Sequence, residues 1–177
     1  MIKLYSYIIL LMLILSCSEG DVIQDNIDFL ADLESCSNGN NFVFYKIDDD
    51  INRSLSVNFT STSFDITPQT DDISVDEPTI FTLSSSNQLI YRQFNSPING
   101  QDYFCSSIPP SNISVTEELI STNGSLEISY TALPPSTDGQ DRFTRTVTLK
   151  NVTFVGERGI IRKENLLLGS EEIIITN

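Results

Sequence analysis

The sequence predicts an all-β fold, a single antiparallel β-sandwich over residues 37–177 that is entered through a short N-terminal helix or tether. Three observations carry this. Leu55, Val57 and Phe59 alternate with Ser54, Ser56, Asn58 and Thr60, the period-two pattern of a half-buried strand, and similar short stretches recur along the chain. Clusters of Gly, Pro, Asn, Asp and Ser interrupt them at intervals of about ten residues. Asn123-Gly124 stands between two apolar alternations, the strongest short-range hairpin signal. Many short strands with such turns and little helical periodicity point to a sandwich.

Each element follows from local pattern. Ile23, Ile27, Leu30 and Leu33 recur at helical spacing between acids, so residues 17–36 read as an acidic tether that either carries a short amphipathic helix or becomes ordered against the domain. Polar residues 37–41 end it. Aromatic and β-branched Phe42–Ile47 form a strand, residues 48–53 a polar turn, and residues 54–60 the alternating strand already described. Residues 61–78, rich in Ser, Thr, Asp and Pro, suit a long connection with one short strand near Phe64–Ile66. Strands follow at Ile80–Leu83 and Gln88–Phe94, then a turn through Asn95–Gly100. Asp102–Ser106 reads as a strand that places Cys105 in the sheet, and Pro109-Pro110 stops it, since proline cannot donate a ladder hydrogen bond. Ile113–Val115 and Leu119–Ser121 lead into the Asn-Gly hairpin, with Leu126, Ile128 and Tyr130 alternating beyond it. After the loop Pro134–Asp141, the alternation Phe143, Arg145, Val147, Leu149 slips phase to Val152 and Phe154, which predicts a β-bulge near Lys150–Asn151. Gly156–Gly159 turns the chain, Leu166–Leu168 reads as buried, and Ile173–Thr176 is the last strand. An immunoglobulin-like domain keeps a tryptophan in its core, and this chain has none. The expectation is therefore an antiparallel sandwich, immunoglobulin-like or related, with its topology left open.

The first residues carry an address. Lys3 is the sole charge before Cys17, and the apolar run Ile8–Leu15 follows it. A positive start, a short apolar core and a small residue at the boundary mark a secretory signal over residues 1–16. The run falls short of the roughly 20 residues a membrane-spanning helix needs. The boundary Ile14-Leu15-Ser16-Cys17 resembles the lipobox of bacterial lipoproteins. That resemblance implies cleavage just before Cys17, a diacylglycerol on its sulfur and an acyl chain on its new amino group. Several acyl chains at about 0.8 kcal/mol per buried methylene anchor firmly where one would be marginal. In Gram-negative lipoproteins an Asp directly after the cysteine retains the protein at the inner membrane. Ser18 stands there, so the resemblance implies the outer membrane, on its periplasmic or cell-surface face. Glu19 and Asp21 resemble the acidic surface-export tags of some lineages.

Composition narrows the partners. Removing residues 1–16 takes away Lys3 and no acid, moving the net charge from −14 to −15. So acidic a chain repels phosphate backbones and anionic lipid surfaces, which disfavours nucleic acid. With Cys17 assigned to lipid, Cys36 and Cys105 remain, an even pair that an exported chain would join in a disulfide. Such a bridge closes about 70 residues and is worth roughly 4 kcal/mol on the chain-entropy account.

Catalytic motifs are scarce. The chain has no histidine, which removes Ser-His-acid and Cys-His devices and imidazole metal ligands. No Ser-x-x-Lys, Gly-x-Ser-x-Gly or phosphate-cradling glycine loop occurs. Paired carboxylates stay open, and they serve glycoside hydrolysis. Asp48, Asp50 and Asn52 match the first ligand positions of a calcium loop, but Arg53 replaces its glycine and Phe59 its bidentate acid, so the EF-hand reading fails. Asp48 and Asp50 remain calcium candidates in a loop-based site, against the plainer reading of solvated turns. Tyr91, Phe94, Tyr103 and Phe104 flank the Asn95–Gln101 turn as a candidate aromatic platform for sugar or peptide. The competing reading places alternate rings in the core, and the lack of tryptophan weighs against a sugar platform. Five Asn-x-Ser/Thr sequons begin at Asn52, Asn58, Asn112, Asn123 and Asn151; in a bacterial chain they are incidental to a polar β surface.

The resulting expectation is a lipid-anchored, non-enzymatic outer-membrane protein with a structural, adhesive or accessory binding role. Its loops Asn95–Gln101 and Pro134–Asp141 are the expected contacts with a protein or glycan partner. The alternative is a glycan-binding or carboxylate-based glycan-processing module. A third reading, an inhibitor offering a proline-bearing loop to a protease, completes the set.

Overall fold

A computed structural model describes residues 27–38, 41–59, 73–157 and 159–175. The signal, Cys17, the acidic residues behind it and the short strand expected near Phe64–Ile66 lie outside the described residues. Among the described residues there are nine strands: β1 (Glu34–Asn38), β2 (Asn41–Asp48), β3 (Arg53–Phe59), β4 (Thr79–Thr82), β5 (Asn87–Phe94), β6 (Val115–Ser121), β7 (Ser125–Leu133), β8 (Asp141–Gly156) and β9 (Gly159–Ile175). One short helix, α1 (Gly100–Phe104), lies between β5 and β6.

Every pairing is antiparallel, in the order β1-β2-β3-β5-β6-β8-β7-β4, with β9 against the other edge of β8. The sheet folds over on itself into a sandwich. One layer supplies Phe44, Leu55, Val57, Leu89 and Tyr91 to the shared core; the other supplies Leu126, Ile128, Val147, Leu149, Phe154 and Leu166. Those inward sets are the period-two sets of the sequence, because successive side chains on a strand face opposite ways.

The β8–β9 hairpin ties the layers together. β8 pairs with β7 up to Lys150, opposite Ser125, and then with β6 where Val155 meets Ile120. Asn151 sits at the change of partner with φ of 53°, a left-handed conformation that asparagine tolerates better than most residues. The inward phase of β8 slips there, as the alternation predicts. The ladder to β9 keeps its register at that level, with Lys150 opposite Asn165 and Val152 opposite Lys163. Its register shift lies instead between Val147 and Thr148. β9 starts beside the β6 edge of the first layer and reaches its other edge. There Lys46 Nζ donates to the Leu167 carbonyl at 3.2 Å and Ser35 Oγ to Glu171 Oε2 at 3.1 Å. The hairpin thus runs across the first layer instead of along its strands, as in orthogonal sheet packing.

Two expectations are corrected. Residues 27–33 form no helix. Ile27, Phe29 and Leu33 are buried, whereas Leu30 is 98% exposed. The i, i+3 spacing of Ile27, Leu30 and Leu33 is a coincidence within an extended strap that alternates inward and outward. Residues 27–36 are accordingly ordered against the domain with no helix, the second of the two forms expected for this segment. Asp102–Ser106, expected as a strand, is largely taken up by α1, and Cys105 is its C-terminal cap. Asn99 starts that helix: its Oδ1 accepts from Asp102 N at 3.0 Å, which satisfies one of the donors a helix start leaves open.

Candidate functional site

The strap, the β2–β3 turn and the loop after β5 meet around an open cleft of about 530 Å³. Asp32 and Glu34 come from the strap and β1, Asp48–Asp50 from the turn, and Ile98, Asn99 and Gln101 from the loop and helix. Each wall is fastened. Lys46 Nζ donates to the Phe29 carbonyl at 2.7 Å. The Phe29 ring lies under both Lys46, 4.7 Å from its centroid, and Arg53, at 4.5 Å. Asp48 closes the turn: one oxygen accepts from Asp50 N at 3.1 Å, the other from Arg53 Nε at 3.0 Å and Nη2 at 2.8 Å. The loop is held by Asn95 N donating to the Ser114 carbonyl at 3.0 Å, by Ser114 N donating to Asn95 Oδ1 at 2.9 Å, and by burial of Ile98.

The disulfide expected between Cys36 and Cys105 is present, with Cα atoms 5.8 Å apart. It joins β1 to the end of α1 and so fixes two walls of the cleft relative to each other. Beneath it Tyr45 is buried, and its hydroxyl donates to Glu34 Oε2 at 2.7 Å. Burial, then that hydrogen bond and the charge of Glu34, raise the Tyr45 pKa well above its ordinary value.

The carboxylates of Asp32, Asp49 and Asp50 are exposed and make no hydrogen bond or ion pair among the described residues. Asp48 is different, because both its oxygens are engaged within the turn. Asp48 and Asp50, the calcium candidates of the sequence, both lie in this turn, and among the described residues no group of three His, Cys, Asp or Glu side chains that could hold a metal ion is found. The cleft is thus open and lined by exposed acids.

The structure separates the rings expected to form a platform. Tyr91 faces the core between the layers, 5% exposed, and Phe94 is also buried, at 3%. Three residues apart on one strand, they face opposite sides. Phe94 joins an edge-to-face chain on the outer side: Phe94 to Tyr103 at 5.0 Å and Tyr103 to Phe104 at 5.1 Å, with Phe104 stacked on Tyr45 at 4.6 Å. Of the three rings Tyr91, Phe94 and Tyr103, Tyr103 alone is partly exposed. It lines, with Phe104, a groove of about 330 Å³ next to α1, whose other walls include Asn41, Asn58 and Arg92. The loop Pro134–Asp141 closes on itself instead, Ser136 N donating to the Gln140 carbonyl and Gly139 N to the Ser136 carbonyl, each at 2.9 Å.

Sequence reasoning missed that Lys46, Arg53 and Arg145 are buried cations. Their signal was in the strand phase. Lys46 follows Phe42 and Phe44 on the inward set, and Arg145 stands between Phe143 and Val147. No protein-family model matches the chain, and neither a curated protein nor a solved structure matches it.

Proposed function

We propose that this chain is a lipoprotein anchored through Cys17 at the outer membrane, where its sandwich has a non-enzymatic, accessory or adhesive role: binding a protein partner of basic surface. The observation that carries the reading is the cleft, whose exposed Asp32, Asp49 and Asp50 stand on walls fixed by the strap, the turn and the disulfide. Clustered unpaired charge on a rigid frame steers an oppositely charged partner and sets its register. Burial of Ile27 supports a short leash. Only residues 18–26 separate it from Cys17, a span of at most roughly 35 Å at about 3.5 Å per residue. The Cys36–Cys105 bridge suits an oxidising, extracytoplasmic compartment.

Crosslinking in cells, with the full chain and with Asp49→Lys/Asp50→Lys, tests the reading. The wild type is expected in the membrane pellet, with a discrete crosslinked protein partner whose yield falls by about tenfold in the variant, as loss of charge steering predicts. A wild-type protein in the soluble fraction, or a crosslink that the charge reversal leaves unchanged, would contradict it.

A further inference from the structure

We infer that the groove beside α1 is a binding site for a neutral saccharide of one or two rings. At about 330 Å³ it lies at the small end of ligand sites. Its polar groups suit a polyol. The side-chain amides of Asn41 and Asn58 and the Tyr103 hydroxyl line it and make no hydrogen bond among the described residues. An amide carries donors and an acceptor together, and a phenol does the same with one oxygen, which matches sugar hydroxyls that both give and take. Tyr103 and Phe104 add aromatic surface for the apolar face of a sugar ring.

Charge selects the class. Arg92 is the cation on the wall, and its Nε is already committed to Glu118 Oε2 at 2.7 Å. The chain as a whole carries a formal charge of −14. A uronate, sialate or phosphate would meet a compensated arginine inside a repelling field, whereas a neutral sugar meets neither penalty. The walls are also set in advance. Val43 and Asn58 face each other across β2 and β3, Phe104 stacks on Tyr45, and the next residue, Cys105, is bonded to Cys36. Little ordering is left for a ligand to induce, which is where weak sugar contacts gain most. The groove lies apart from the acidic cleft, so the inference does not rest on the anchored-module reading.

The full chain in a zwitterionic detergent without a sugar headgroup is screened on an array of neutral and acidic glycans, and hits are titrated by ligand-observed NMR. A neutral saccharide should bind with sub-millimolar affinity, and Asn58→Ala and Tyr103→Phe should each weaken it by about five- to tenfold. Tyr103→Phe keeps the ring packing, so its effect is read on a folded protein. No neutral saccharide bound at about 10 mM, where even millimolar affinity would show, would overturn the inference. So would binding restricted to acidic glycans, or affinity retained in either variant.

Discussion

Arg145 is 1% exposed inside the sandwich, and its surroundings show what a buried cation needs. Its Nε and Nη2 donate to Glu171 Oε1 at 3.1 and 2.7 Å, Nη2 also reaches Ser35 Oγ at 3.3 Å, and the guanidinium lies 4.9 Å from the Phe44 centroid. Removing one partner strands the other charge, whereas removing both exchanges a desolvated pair for apolar contact. Arg145→Met should therefore cost about 3 kcal/mol, and Arg145→Met/Glu171→Met should recover most of it; urea-unfolding midpoints measure both. Tyr45 gives a pH signature. The unfolded chain releases this proton near the ordinary value of 10.0, and the folded chain holds it to higher pH. Stability from Tyr45 is thus complete below that value and lost as pH rises beyond it. Lys46 acts oppositely, since burial lowers its pKa from 10.5 despite Asp28, so stability rises with pH through the window beneath that value. The Tyr45 contribution is isolated by Tyr45→Phe, whose unfolding midpoint should fall less steeply than the wild type's above about pH 10.

At the scale of elements, the strap separates two readings that the sequence left side by side. A helix with Ile27, Leu30 and Leu33 inward would make Leu30 a core residue. The extended strap makes it a bystander and gives the role to Phe29, held beneath Lys46 and Arg53. Phe29→Ala should cost about 3–5 kcal/mol, and Leu30→Ala less than about 0.5 kcal/mol. Equal effects in thermal unfolding would restore the helix. The strands were legible because alternation is a property of each strand alone, as in β3, and the Asn-Gly hairpin because its turn chemistry is local. The helix α1 was not. Five residues give no helical period, and what decides it is an Asn99 cap together with the packing of Gly100, where an added Cβ would run into the Tyr45 ring. The phase slip at Asn151 was visible, but the exchange of β7 for β6 that explains it depends on β6, thirty residues earlier in the chain.

For the whole molecule, cysteine arithmetic was the most productive long-range inference, because assigning Cys17 to lipid left the pair that the structure joins. The cleft was beyond sequence reasoning. Asp32, Asp49 and Gln101 come from segments far apart in the chain, and their meeting depends on the bridge and on the strap being seated in the core. Tyr91 and Tyr103 show the converse: near one another in sequence, they are divided by the sheet itself. With the strap buried from Ile27 and the acidic cleft beside it, the anchored-module account has the domain held near the membrane while the charged cleft receives its partner.

Its central claim is that residue 17 is where the address ends and the lipid begins. Intact and fragment mass spectrometry of the membrane-extracted protein tests this directly. The account predicts a mature chain starting at Cys17, with a diacylglyceryl thioether on its sulfur and an amide-linked acyl chain on its nitrogen. A mature chain that starts elsewhere, or an unmodified Cys17 thiol, would contradict it.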